Sequence, residues 1–151
     1  MARDLAPLIL RGGGARVYNS TNVSHATSGT NQAVTFNTER YDDAEYHSTS
    51  SNTSRLTIAQ PGRYRVGGCI AFAANATGVR YVQLRVNGTT YIAIQGSVSM
   101  GGAVATILTV ETDYEFAAAD YVELVGYQDS GGALNMTASA NYSPEFWIAR
   151  L

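Results

Sequence analysis

The chain has 151 residues, 45% of them apolar and 15% charged, with a formal net charge of −2 and a single cysteine. That length makes one domain with a substantial core; the faintly acidic balance, with no basic block, excludes an electrostatic nucleic-acid surface, and a lone Cys69 excludes an internal disulfide. No apolar run reaches the length of a membrane-spanning helix, while plentiful Gly, Thr, Ser, Asn and Tyr favour strands joined by tight turns.

Residues 1–14 read as an N-terminal arm with a glycine hinge, and residues 15–151 as the folded domain. Leu5, Leu8, Ile9 and Leu10 give the arm side chains that would gain from burial on a partner, and Gly12-Gly13-Gly14 supplies a loose joint. A docking peptide and a disordered terminus both fit that composition. The apolar stretch is too short for a secretory leader, contains Pro7 and follows Asp4. The Asn-X-Ser/Thr triplets, from Asn19 to Asn141, are therefore expected to reflect composition rather than glycosylation.

Ala15–Tyr18 begins the strands, and Ala33–Asn37 is expected to be a second. The charged stretch from Glu39 to Asn52 is expected as a loop anchored by Tyr41 and Tyr46. Arg55–Ala59 alternates, with Leu56 and Ile58 inward. Pro61-Gly62 then turns the chain into the longest strand, which places Tyr64, Val66, Ile70, Phe72 and Ala74 on one side. Arg65, Gly67, Cys69, Ala71 and Ala73 fall on the other, which is small and uncharged after Arg65. A strand apolar on both faces is normally covered on both, and in so short a chain the second cover is most simply a sister copy.

Val79–Val86 alternates Val82, Leu84 and Val86 against Tyr81, Gln83 and Arg85. Asn87-Gly88 is a strong hairpin signal and Thr89–Gln95 the returning strand. After the loose Gly96–Gly102 loop come extended stretches at Ala103–Phe116, Asp120–Tyr127 and Leu134–Ala140, and Pro144 introduces the closing Phe146–Leu151. Strands recurring about every ten residues, with no helical period, indicate an all-β sandwich or barrel. The Val79–Gln95 and Asp120–Tyr127 strands have one wet face, whereas Tyr64–Ala74 and Phe146–Leu151 have none. An outer sheet toward solvent and an inner sheet toward sister subunits is the reading.

Five motifs come in a telling order: Phe36 with its acidic, Tyr-containing loop, Pro61–Val66, the strand Val82–Gly88 ending in Asn-Gly, Ala119–Leu124, and Phe146–Leu151. Together they resemble the complement C-one-q globular-head and tumour necrosis factor-like jelly roll, over 15–151. Ala119 and the Ile148-Ala149 pair depart from it, standing where that family carries glycine. The resemblance implies a ten-stranded jelly-roll sandwich of two antiparallel sheets that assembles as a homotrimer around its inner sheets. Arg65, Gly67, Cys69, Ala71, Ala73 and Trp147 are the expected trimer interface. Relatives of this type include phage head, tail-fibre and decoration modules. With neither a Gly-X-Y run nor a heptad stem here, the arm or the trimer surface would mount it. The implied setting is a virion assembled in the host cytoplasm, with capsid or tail proteins as partners.

Chemistry is sparse. His25 and His47 fall in polar stretches, expected to be surface residues without a nucleophile or ligand set around them, so no catalysis and no cofactor are expected. Asp42 and Asp43, beside Glu39 and Glu45, are the densest carboxylates, but their spacing matches no calcium loop, so a solvated acidic loop is favoured over a metal site. Tyr-rich loops, Glu39–Asn52 and Gly96–Gly102 foremost, offer a second function: adhesion to host cell-surface glycans. All ten basic residues are arginine, which either codon bias or the suitability of guanidinium for desolvated pairs explains.

Overall fold

The computed structural model describes residues 13–151. The arm residues Leu5, Leu8, Ile9 and Leu10 lie outside the described residues. Twelve strands follow one another: β1 (Gly14–Tyr18), β2 (Val23–His25), β3 (Thr30–Ala33), β4 (Thr38–Asp42), β5 (Arg55–Thr57), β6 (Gly62–Phe72), β7 (Val79–Val86), β8 (Thr90–Val98), β9 (Thr106–Phe116), β10 (Tyr121–Gln128), β11 (Leu134–Met136) and β12 (Glu145–Arg150). They form two antiparallel sheets, as expected. Sheet A holds β2, β11, β6, β12, β1 and β4 in order, with β9 along the far side of β6; sheet B holds β3, β10, β7 and β8, with β5 on β10. The jelly roll implied by the resemblance is the observed fold, with twelve strands rather than ten because short ladders such as β2 and β11 close its corners.

Strand β6 is the spine of sheet A. All of Gly62–Phe72 pairs with Phe116–Thr106 of β9, while Tyr64–Cys69 pairs on the other side with Arg150–Glu145 of β12. Its core-facing residues Tyr64, Val66, Ile70 and Phe72 are fully buried, as the alternation predicts. They meet Leu56, Val82, Leu84, Val122 and Leu124 of sheet B in one continuous core. Gly68 sits between them for lack of room: a Cβ there would lie 2.5 Å from Leu124 Cδ1 and 2.9 Å from the Glu145 carbonyl oxygen. The sheets close to contact at that point only because β6 has no side chain.

Three expectations are corrected. Ala33–Asn37 is extended but crosses between ladders: Val34 N–H donates to Leu124 O and Phe36 N–H to Thr53 O, each at 2.9 Å. Period found their burial, which is complete or nearly so, but not the ladder hydrogen bonds. Thr38–Asp42, expected as loop, is the edge strand of sheet A on β1, hidden by its polarity because an edge needs no apolar face. Gly14, expected in the hinge, opens β1; a Cβ there would lie 2.7 Å from Ile148 O.

Tyr46 anchors the 43–54 loop as expected, packed edge-on against Tyr64 at 6.1 Å. Its burial, helped by the neighbouring Tyr64 hydroxyl, pushes its phenol up to about 12. A raised folded value favours the neutral form, so this contribution is complete below pH ~10 and lost as pH rises through 12. Absorbance titration should show a phenolate step near 12 that Tyr46→Phe abolishes, with stability falling over that window in the parent. Gly68→Ala should cost about 1–3 kcal/mol in denaturant unfolding through overpacking against Leu124.

Candidate functional site

The face of sheet A that points away from sheet B carries the residues expected to meet sister copies. The structure covers several of them from within the chain. Cys69 is 6% and Ala71 2% exposed, because Ser143 lies across the strand and its hydroxyl accepts the Ala71 N–H at 2.7 Å. Burial pushes the Cys69 thiol up and leaves it a small apolar filler. Gly67 is roofed by Trp147, whose ring atoms would lie 2.8 Å from a Cβ on it. Ala73 is half-buried against the core. Arg65 is open, its side chain 51% exposed, and grips Asp113 through Nε at 2.8 Å and Nη2 at 3.1 Å; those hydrogen bonds hold the Asp113 carboxyl below its usual range.

Instead of a greasy surface, this face carries an interlocked set of rings and ions. Glu145, whose side chain is 1% exposed, is gripped by both Arg16 and Arg40. The Arg16 guanidinium lies 5.4 Å from the Trp147 ring and Arg40 4.1 Å from Tyr18, while the Trp147 indole N–H donates to Glu111 at 3.1 Å. Ladder register explains the set, since Trp147 stands between Gly67 and Arg16, and Glu145 between Cys69 and Tyr18. Sheet B repeats the device. Glu123, 5% exposed, accepts from Arg85 Nη2 and from the Ser54 hydroxyl, both at 2.9 Å, with Arg55 Nε 3.8 Å away. Sequence reasoning missed both clusters; the available signal was a Glu in mid-strand with arginines at facing positions of its neighbours.

The 42–57 segment forms the second feature. Asp42 accepts the backbone N–H groups of Ala44, Tyr46 and His47, so its carboxylate holds the loop closed. Asp43 accepts Gly14 N–H at 3.2 Å and ties the loop to β1. Among the described residues no group of three His, Cys, Asp or Glu side chains could hold a metal ion. Behind the loop is an open pocket of about 150 Å³ lined by Glu45, Tyr46, His47, Ser48, Ser51, Asn52, Arg55 and Thr57.

Both histidines are buried rather than on the surface: His25 is 0% and His47 9% exposed. His47 Nδ1 faces Glu39 Oε1 at 2.9 Å, as in the lower half of a catalytic triad, but Nε2 faces the Thr53 carbonyl at 3.1 Å. A general base needs that second nitrogen open toward a hydroxyl. His25 Nε2 bonds the Gly126 carbonyl at 3.1 Å. These rings staple loops to strands.

With this geometry in hand, the comparisons speak to fold. No family model and no curated protein matches the sequence. Among solved structures, murine APRIL crystallised at pH 5.0 superposes with a TM-score of 0.67 at 9% identity, over 93% of this chain and 100% of that one. The globular domain of the zebrafish complement 1qA protein gives 0.60 at 14% identity, over 92% and 96%. The chain therefore has the jelly roll of these proteins from end to end of its described domain. At such identity the likeness is one of fold alone.

Glu145→Ala should destabilise the fold by about 2–3 kcal/mol, below the ~3–5 of a fully buried pair because both arginines keep some water. Equilibrium urea unfolding checks it, and Glu145→Gln should cost less because the amide oxygen still accepts.

Proposed function

We propose that the chain is a non-enzymatic structural protein of a virion: a homotrimeric jelly-roll knob on a phage head or tail, mounted by its N-terminal arm. One observation carries the assembly. Around the β8–β9 connection, Val98 is 70%, Met100 63%, Val104 56% and Ile107 52% exposed. Val98 leaves the outer face of sheet B, Ile107 that of sheet A, and the other two lie in the turn between. An apolar strip wrapped around one edge calls for a partner surface.

Charge favours a rotational partner over a two-fold one. β9 pairs only with β6, so its other edge is open, and beside it on the outer face Glu111, Asp113 and Glu115 are exposed, an acidic row in which Arg65 offsets one charge. Two such edges meeting antiparallel would face like charges. Head-to-tail contact, β8–β9 of one copy against the Arg16–Arg40 side of the next, sets the acidic row against the net positive charge that the two arginines keep over Glu145, and a three-fold rotation closes it into a ring. Arg65 and Trp147 stay in this interface; Gly67, Cys69 and Ala71 support it from beneath. Ala71→Glu would disrupt the single chain itself, so the strip is the place to test.

Sedimentation should give three times the 16.1 kDa chain mass, and Val104→Asp with Ile107→Asp should give a folded monomer. A parent that sediments as a monomer at tens of micromolar would overturn the reading. The virion assignment predicts capsid, portal or tail genes flanking this one; neighbours of unrelated metabolism would count against it. The pocket behind the 42–57 loop favours a second, compatible reading: adhesion to host cell-surface glycans through that loop.

A further inference from the structure

The pocket behind the 42–57 loop has a feature that its structural role does not use. Glu123 is satisfied by Ser54 on one oxygen and by two Arg85 hydrogen bonds, at 2.9 and 3.3 Å, on the other. Arg55 Nε stands 3.8 Å from that carboxylate, outside hydrogen-bond range. The Arg55 guanidinium lies 3.9 Å from the Tyr121 ring, and the side chain is 35% exposed. Among the described residues it makes no hydrogen bond within 3.5 Å. Two arginines on one glutamate leave a spare positive charge, held near the ring, and its residue lines the pocket.

Apart from Glu45 and His47, the rest of the lining is a set of uncharged hydrogen-bonding groups. Ser48, Ser51 and Thr57 offer hydroxyls and Asn52 an amide, with the edges of Tyr46 and His47 beside them. Glu45 is the one carboxylate among the lining residues, and it is exposed. At about 150 Å³ the space corresponds to roughly five waters at ~30 Å³ each. That is well under the ~300–1,000 Å³ that engulfs a drug-sized ligand, so it admits one ring-sized polar unit.

We propose that this pocket binds a carboxylated sugar residue, its carboxylate taken by the free edge of Arg55 and its hydroxyls by Ser48, Ser51, Asn52 and Thr57. A guanidinium presents paired N–H donors in a plane that matches a carboxylate. Stacking on Tyr121 pre-orients that plane, which lowers the cost of ordering it on binding. Glu45 opposes the ligand's charge and accepts from its hydroxyls. The placement in a host-facing loop rests on the adhesion reading above; the ligand chemistry rests on Arg55.

The experiment titrates free glucuronate into the full-length protein, with glucose as the neutral comparison, and follows backbone amide shifts. Glucuronate should move the amides of His47, Ser48, Asn52 and Arg55. Glucose should bind on the order of tenfold more weakly, the discrimination one charged hydrogen-bond pair supplies. Arg55→Met should lose a similar factor while its spectrum stays dispersed, and Arg55→Lys should recover little of it. Glu45→Gln should tighten glucuronate binding. Equal response to the two sugars, shifts elsewhere on the molecule, or unaltered binding by Arg55→Met overturns the proposal. A glycan array separates the two readings: acidic-glycan hits that persist in Arg55→Met keep adhesion and sink the pocket. An empty array beside specific glucuronate binding does the reverse.

Discussion

Two adjacent residues without side chains, Gly67 and Gly68, set the spacing on which the rest of this sandwich depends. Because successive residues of a strand face opposite ways, the pair opens a slot on each side of β6. Leu124 of the other sheet fills the core-side slot and the Trp147 ring the outer one. The first contact brings the sheets together at mid-core. The second lays an indole flat on sheet A, where it meets Arg16 and Glu111. Core thickness and outer-face chemistry thus follow from one dipeptide.

That geometry changes what the outer face of sheet A is for. Small residues on a central strand suggest a bare apolar surface, and the alternation of β6 taken alone supports that view. In the folded chain the neighbouring strands lean large side chains over the small ones, and the face presents guanidinium, carboxylate and aromatic groups. The surface that lacks a cover lies instead at the β8–β9 edge, in a stretch whose glycines make it look like a slack loop. The difference is one of neighbours: a strand's own sequence reports its alternation but not the reach of side chains paired beside it.

Much of the architecture was legible nonetheless. The core faces of β6 and β7 follow from alternation and the β7–β8 hairpin from Asn87-Gly88, whereas the wet face expected of β10 is covered, with Glu123 5% and Val125 0% exposed. The polar edge strand β4 and the three-residue β2 escaped notice because edges and corners bury too little to impose a period. His25 and His47 were misplaced for a related reason. A histidine in a polar stretch reads as exposed, yet each ring is drawn in by carbonyl or carboxylate acceptors from distant parts of the chain. Within the candidate pocket, Tyr46 was foreseeable as an anchor. The spare cation of Arg55 was not, since it exists only because Arg85 and Ser54 reach Glu123 first.

Five of the arginines lie within 6.0 Å of an aromatic ring: Arg16, Arg40, Arg55, Arg85 and Arg150. An ammonium cannot lie flat on a ring and fork a carboxylate at once, so at Arg16, Arg40 and Arg85, which also hold a glutamate through two nitrogens, lysine is no near-synonym. Glu145, sealed between Arg16 and Arg40, loses half of its compensation with either arginine, and Glu123 loses its only arginine hydrogen bonds with Arg85. Such trios can drift only by changing several members together, whereas the core asks only for volume and alternation. A fold shared with murine APRIL at 9% identity fits that division of labour, because alternation and volume are demands that many different sequences meet.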